Sequence, residues 1–466
     1  MGERLHPAAI GVYALQALRE AAVPLLVVAA VSVFGGGFDP QDALRTLGLA
    51  VAGAAIAAVV GAVRWATTSY SLAGETVRLR TGLLSTNEVE IPFARVQAVD
   101  VEQGPVQRLF GVQSVHVQTA AGGQGGEIVL GALDPGDVAR LRELVAGGRP
   151  EVLATAEDDA PERRLSRPML LVAAVTSGQI GVIVPLLAGA SQMVDDLLGD
   201  PREGERAVEG VLPDTAGELA LTLGGLLVLA WLLASTGAII AFSGFRVRRQ
   251  GDTVRLRRGL LARREASLGV GRIRAVRVVE GVLRQPFGLA ALRVEVVGYA
   301  QEPSAAQTLF PLLRRREVPA FLEELLPELA DQLGDLDRPP PRALRRYVLP
   351  PAAAGLALGA GVAAATGAWW ALAALLPGLG YGVLLWRAAG WRLRGERLVV
   401  RSRMFARTTV LAPAANRESH ELAQTALQRR ARLAHVSVAF GRRTSARIRH
   451  LDLETARRLW VAIHAR

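Results

Sequence analysis

Residues Leu83–Gly111 read LLSTNEVEIPFARVQAVDVEQGPVQRLFG, and residues Leu260–Gly288 read LLARREASLGVGRIRAVRVVEGVLRQPFG. The two stretches align without a gap. Gly82 falls on Gly259, Arg95 on Arg272, Gly104 on Gly281, and Phe110-Gly111 on Phe287-Gly288. Self-similarity at a fixed spacing marks a repeated structural unit, and it decides the architecture before any single element is assigned. A third, weaker copy lies in QTALQRRARLAHVSV, where Gln424, Gln428 and Arg429 match Gln103, Gln107 and Arg108. That copy lacks the Phe-Gly pair, so its turn is expected to differ.

Around these anchors the pattern is short and alternating. Thr76–Arg80, Thr253–Arg257 and Arg397–Arg401 place apolar residues on one face of a strand, and Val115–Val117 and Leu292–Val296 read as later strands. Gly122–Gly126 marks a hairpin turn. Each copy ends in a stretch with three- and four-residue apolar spacing, at Asp137–Val145, Val318–Leu329 and Glu454–His464. A run of strands closed by one helix predicts a small β-barrel or sandwich with a helical plug.

Long uncharged runs separate the copies. They fall at residues 21–38 and 46–63, at 169–190 and 219–242, and over Val348–Trp386, which is long enough for two crossings with a turn near Thr366 and Gly367. Runs of about 18 apolar residues or more can span a bilayer. The predicted layout is three transmembrane hairpins alternating with three β domains. It places an N-terminal segment and hairpin in residues 1–67, a domain in 68–150, a hairpin in 151–243, a domain in 244–335, a hairpin in 336–390 with spans near 348–366 and 368–386, and a domain in 391–466. Residues 8–20 carry Ile10, Tyr13, Ala14, Ala17 and Leu18 at helical spacing. They read equally as an amphipathic segment on the membrane surface or as an extension of the first span.

Arginines flank the runs at Arg64, Arg163, Arg164, Arg167, Arg246, Arg248, Arg249, Arg342, Arg345, Arg346, Arg387, Arg392 and Arg394, whereas the loop near residues 195–214 is acidic. Basic residues beside span ends mark the cytoplasmic side, which places both termini and all three domains inside a cell membrane.

The Arg4-Leu5-His6-Pro7 segment, the Arg164–Arg167 stretch leading to Thr176-Ser177-Gly178, the Arg95-Val96-Gln97 stretch and the Gln-Arg-x-Phe-Gly turn at Gln107–Gly111 together resemble the bacterial PH-like (bPH2, YdbS/YdbT-like) membrane protein family. The resemblance covers essentially the whole chain. It implies bent antiparallel barrels capped by C-terminal helices, and a shorter relative with one hairpin and one domain as a protein partner. In the third copy Asn416-Arg417 stands in for the Arg-x-Gln stretch.

Catalytic motifs are missing from the sequence: there is no nucleophile elbow, phosphate-binding Gly-rich loop before a helix, zinc-protease motif or dinucleotide fingerprint. Cysteine is absent, which excludes disulfides and thiolate metal sites, and the six histidines form no short ligand pair. The expectation is a non-enzymatic protein without metal or cofactor. All 54 basic residues are arginine, against 43 acids. Residues 68–150 hold seven arginines and nine acids, 244–330 sixteen and nine, and 391–466 seventeen and five.

Candidate contacts to anionic inner-leaflet lipid are Arg429, Arg430, Arg432, Arg442 and Arg443, with Arg246, Arg248 and Arg249, because guanidinium forks suit phosphate oxygens. Nucleic acid is not expected as a partner, since aromatics for base stacking make up 5% of the chain. The leading reading is a membrane scaffold whose domains bind lipid, a protein partner or both; the alternative is a component of a transport or export system. Phe110 and Phe287 are expected to be buried anchors of their turns, and Gly111 and Gly288 to permit the tight bend.

Overall fold

The computed structural model describes residues 3–17, 40–83, 85–119, 127–148, 161–176, 216–296, 308–331, 333–441 and 444–464. The chain divides into two compact units. One comprises Met1–Asp159, Arg164–Arg246 and Arg255–Ser267, the other Ala160–Arg163, Val247–Val254 and Leu268–Arg466.

In the first unit β1 (Glu3–Arg4), β2 (Ser69–Ala73), β3 (Thr76–Thr81) and β4 (Asn87–Pro92) form a sheet in sequence order. A second sheet carries β5 (Val96–Gln103), β6 (Gln113–Thr119) and β7 (Glu127–Leu133). The two sheets face each other across one core. Tyr70, Val77 and Ile91 come from the first, Val99, Val115, Val117, Ile128 and Leu130 from the second, and Val138, Leu141 and Val145 from the closing helix Pro135–Gly148. Burial of that alternating apolar face is what period-two strands supply. The N-terminus enters the same core. Leu5, Ala8, Ala9 and Tyr13 are buried, Trp65 donates from Nε1 to the Leu5 carbonyl at 2.8 Å, and the Arg64 guanidinium lies 4.8 Å over the Tyr13 ring. Residues 9–17 are helical, as the spacing predicts, and 18–20 lie outside the described residues. Of the apolar stripe Tyr13 is buried, and Ile10, Ala14 and Ala17 are half-buried.

The outer edge of β5 does not close back on its own copy. It pairs antiparallel with β11 (Arg263–Gly269) of the next repeat, with Arg263 opposite Gln103 and Glu265 opposite Val101. Asp100 accepts from the Ser267 backbone N–H at 3.2 Å, and Arg264 pairs with Glu102 at 2.8 Å. β8 (Arg163–Arg164), β9 (Arg246–Gln250) and β10 (Thr253–Arg258) each contribute residues to both units.

The second unit repeats the arrangement. β12 (Ile273–Glu280), β13 (Leu289–Val296) and β14 (Thr308–Arg314) belong to the second copy, and β15 (Gly390–Arg394), β16 (Arg397–Arg403) and β17 (Arg407–Pro413) to the third. All six form one antiparallel sheet in the order β14-β13-β12-β17-β16-β15. Its two halves join where Val276 faces Leu411 and Glu280 faces Arg407. The β16–β17 face packs on a three-stranded sheet of β18 (Ser419–Ala423), β19 (Leu433–Ala439) and β20 (Ser445–Asp452). Leu398, Val400, Val410, Val436, Phe440, Ile448 and the helix residues Leu459 and Ile463 fill the space between.

This corrects two parts of the predicted fold. Every sheet is open, and no barrel closes among the described residues. An exposed strand edge needs a partner, and here the neighbouring repeat supplies it instead of closure within one repeat. Nor are three transmembrane hairpins present among the described residues. Among the described residues two helices qualify as long and apolar enough to cross a membrane, Pro341–Thr366 and Trp369–Ala388; the helices Pro40–Ala66 and Ala216–Phe242 are each 27 residues long, with Val51–Ala66 and Ala230–Phe242 as their apolar described parts. The expected span at 21–38 lies outside the described residues, as do 177–190, the Gly122–Gly126 turn and the acidic loop.

The Phe-Gly turns need a further correction. Gly111 and Gly288 do adopt left-handed backbones, at φ 69° and 60°. The preceding rings are not anchors: Phe110 is 54% exposed and Phe287 73%. The buried residue of that short helical turn is instead Gln107, replaced by Arg284 in the second copy and Gln428 in the third. The third copy keeps the turn without glycine, because Arg432 occupies the Gly111 position at φ 52°.

Candidate functional site

The two long apolar helices form the best-defined hairpin of the second unit. Gly367, at φ 70°, ends the first helix and donates its N–H to Ala363 at 2.8 Å. Glycines let the two helices meet backbone to backbone. A Cβ on Gly355 or Gly359 would sit 2.4 or 2.2 Å from the carbonyl oxygen of Ala374 or Ala371, and one on Gly378 would sit 2.4 Å from that of Pro351. Small residues four apart on both partners are the usual route to such an approach in lipid. The tip carries Trp369 and Trp370, both largely exposed. Aromatic rings of this kind favour a membrane–water boundary.

The opposite end, the root, is sewn into the third copy. Ala343, Tyr347, Ala389 and Leu433 are buried together, with Leu385, Trp386 and Ala431 packed against them. The Tyr347 hydroxyl donates to the Arg449 carbonyl at 2.8 Å, Arg346 donates to the Leu427 carbonyl at 2.9 Å, and Arg342 pairs with Asp452 at 2.5 Å. These bonds fix the short helix Ala426–Arg430 beside the hairpin root. That helix begins with a capping box, in which Thr425 accepts from the Gln428 N–H and Gln428 reaches back to the Thr425 N–H.

Arg429 and Arg430 leave this helix into solvent, and Arg432 leaves the turn after it. Arg345 and Arg387 are likewise exposed at the two helix ends of the root. Among the described residues none of Arg429, Arg430 and Arg432 forms an ion pair. The result is a collar of guanidiniums where the apolar hairpin meets the β domain. Sequence reading singled out Arg429, Arg430 and Arg432 but not Arg345 and Arg387 as members of the same site. Their shared feature, position at a span end, was visible.

The other candidates divide. Arg442 and Arg443 lie outside the described residues. Arg249 is held by Glu328 through two hydrogen bonds of 3.1 and 2.8 Å and also donates to the Leu325 and Gly251 carbonyls, so it serves the fold. Arg246 and Arg248 are half-buried on β9. Arg95 and Arg272 close equivalent 3-10 turns, Phe93–Arg95 and Val270–Arg272, and the third copy forms the same turn at Ala414–Asn416. Gly104 precedes the helical turn Pro105–Leu109, and Gly281 occupies the same place before Arg284.

Two histidines converge although their spacing gave no warrant for it. His435 and His450 meet edge to face at 4.7 Å between ring centres, and Tyr347 lies edge-on to His450 at 5.0 Å. The Gln428 side chain contacts both imidazoles, at 2.9 and 3.1 Å. Burial, reinforced by His435 and by Arg449 and Arg346, pulls the His450 pKa down to about 4, and burial also lowers that of His435. No group of three potential metal-ligating side chains occurs among the described residues.

Open sheets linked from copy to copy, a helix closing each copy and a hairpin rooted in the last one define a repeat protein of linked β domains. The chain belongs to the bacterial PH domain family, whose sequence model matches it three times, over residues 22–149, 208–329 and 347–466. The chain is similar to the UPF0699 transmembrane protein YdbT of Bacillus subtilis (strain 168), with 25% identity over 94% of this chain and 92% of that protein. It is also similar to the UPF0699 transmembrane protein YdbS of the same organism, with 28% identity over 31% of this chain and 89% of that protein. No solved structure matches.

Proposed function

We propose that the chain is a non-enzymatic scaffold fixed in a cell membrane, with its β domains on the cytoplasmic face and the arginine collar at the hairpin root bound to anionic inner-leaflet lipid. The observation that carries this reading is Arg432. It holds a left-handed backbone at a position where both sister repeats use glycine. Such a conformation costs an ordinary residue about 1–2 kcal/mol. A bulky cation retained there, exposed and beside Arg429 and Arg430, supports a role in binding. The 391–466 segment, with seventeen arginines against five acids, supplies the matching field. The likeness to a protein named as transmembrane over nearly its whole length supports the membrane setting.

A transport path between the two hairpin helices is disfavoured by their glycine-lined backbone contact. A shorter single-domain membrane relative is the protein partner we favour, supported by the likeness of one repeat to YdbS, which is itself of that length.

The chain has no cysteine, so one label can be placed cleanly. Leu427→Cys carrying bimane, in full-length protein in phosphatidylcholine nanodiscs, should be quenched more by brominated phosphatidylglycerol than by brominated phosphatidylcholine. Arg429→Gln, Arg430→Gln and Arg432→Gln together should remove the difference. Equal quenching by both lipids in the unsubstituted chain would count against the reading.

A further inference from the structure

A second basic feature lies on the same unit, away from the collar. An open groove of about 740 Å³ is lined by Phe287, Arg314, Arg315, Arg316, Pro319 and Leu333. Arg314 and Arg316 are exposed, while Arg315 reaches inward to within 3.5 Å of Glu280, which is fully buried. Glu280 is also bound by Arg407, through Nε at 2.9 Å and through Nη2. Charge around that carboxylate is far from balanced. The Arg401 pKa is lowered, first by burial and then by Arg315 and Arg407, with Arg338 adding to them and Glu280 alone opposing. Beneath the groove one carboxylate, Glu280, faces two guanidiniums, Arg315 and Arg407, and Arg314 and Arg316 add positive charge to the lining against Glu317.

The rim is apolar on one side, and that side leads to the hairpin. Val282, Leu283 and Phe287 are more than half exposed, as are Met404 and Phe405 in the β16–β17 turn. Gln285 ties the two turns together by donating to the Phe405 carbonyl at 3.4 Å. The Phe405 ring stacks on Tyr381 at 6.2 Å, and the Tyr381 hydroxyl donates to the Met404 carbonyl at 2.7 Å. Tyr381 lies within the apolar helix Trp369–Ala388, about 10 Å from its root end at 1.5 Å per residue. Tyr381 thus joins the hairpin to Phe405, Gln285 joins Phe405 to the turn that carries Leu283 and Phe287, and Phe287 lines the arginine groove.

The geometry points to a phospholipid site: we propose that the Arg314–Arg316 groove binds the phosphate of an anionic phospholipid whose acyl chains lie against Phe287, Leu283 and Phe405. The proposal rests on the membrane setting argued above. Guanidinium forks match phosphate oxygens in pairs, and an apolar wall beside them suits a ligand with a charged head and hydrocarbon chains. The same position of the repeat is apolar and exposed in each copy, at Leu83, at Leu260 and Leu261, and at Met404 and Phe405. The Phe287 ring, expected in the core, belongs to this exposed surface.

The test places bimane on Leu283→Cys in the full-length chain, in phosphatidylcholine nanodiscs containing either brominated phosphatidylglycerol or brominated phosphatidylcholine. One arginine beside an anionic leaflet is worth roughly a fivefold preference. Quenching should occur with both lipids and should be about fivefold or more stronger with phosphatidylglycerol. Arg314→Gln with Arg316→Gln should leave equal quenching by the two. Absence of quenching with either lipid, equal quenching in the unsubstituted chain, or a preference that survives the double substitution would each overturn the proposal. The collar is read separately from the Leu427→Cys label, whose lipid preference should persist in the R314Q/R316Q chain.

Discussion

Replacing Glu280 by glutamine should destabilise the second unit by about 2–4 kcal/mol. The carboxylate is fully buried at the end of β12, opposite Arg407 at the start of β17, where the second and third copies share their sheet. It accepts charged hydrogen bonds from Arg407 and faces Arg315. Removing one member of a buried ion pair costs about 3–5 kcal/mol, because the remaining charge loses its partner but stays desolvated. The lower end applies here, since the Arg407 and Arg315 side chains are 24% and 31% exposed and water screens part of the loss. Equilibrium unfolding of the full-length protein in detergent should show the lowered midpoint. The E280Q/R407Q double variant should lose less than the sum of the single losses, by about 1–3 kcal/mol. A change within about 0.5 kcal/mol for E280Q would refute the reasoning, because it would place the carboxylate among ordinary surface positions.

Gly359→Val should force the hairpin helices apart, since even a Cβ would lie 2.2 Å from the Ala371 carbonyl oxygen; a loss of about 1–3 kcal/mol by thermal unfolding in detergent is expected. Arg432→Gly should raise stability by about 0.5–1 kcal/mol in the same assay by relieving the left-handed backbone, while weakening phosphatidylglycerol preference at the Leu427→Cys label. The His450 pKa is depressed in the folded state, so its contribution is fully present above the ordinary histidine value and is lost as pH falls from about 6.5 toward 4. His450→Asn, which also tolerates the φ of 57° there, should flatten that part of the stability profile.

The repeat was legible because local chemistry recurs. Gln103 and Gln424 donate to the carbonyls of Val112 and Leu433, at 3.3 and 2.8 Å, and these are matched residues of the two copies. The turn of the third copy was less legible, because glycine is the usual mark of a left-handed residue and Arg432 carries none. Pairing of β5 with β11 and of β12 with β17 was not readable. A strand's alternation fixes which face is buried but not which neighbour its edge will find. The exposed Phe110 and Phe287 show the converse limit: an aromatic in a repeat reads as core, although a ring at a lipid boundary has the same composition. His435 and His450 could have been paired from the β19–β20 hairpin, whose register sets Ala434 opposite Leu451. Arg249 looked like part of a basic cluster, and its partner Glu328 lies far along the chain.

The proposed scaffold requires a hairpin that crosses the membrane with its arginine collar inside. Two single-cysteine chains test this directly, Ala368→Cys at the hairpin tip and Leu427→Cys beside the collar, each probed in intact cells with a membrane-impermeant maleimide. Ala368→Cys should react from outside, and Leu427→Cys should react only after the membrane is opened. Labelling of both positions from the same side would show that the hairpin does not cross, and would contradict the membrane-anchored scaffold.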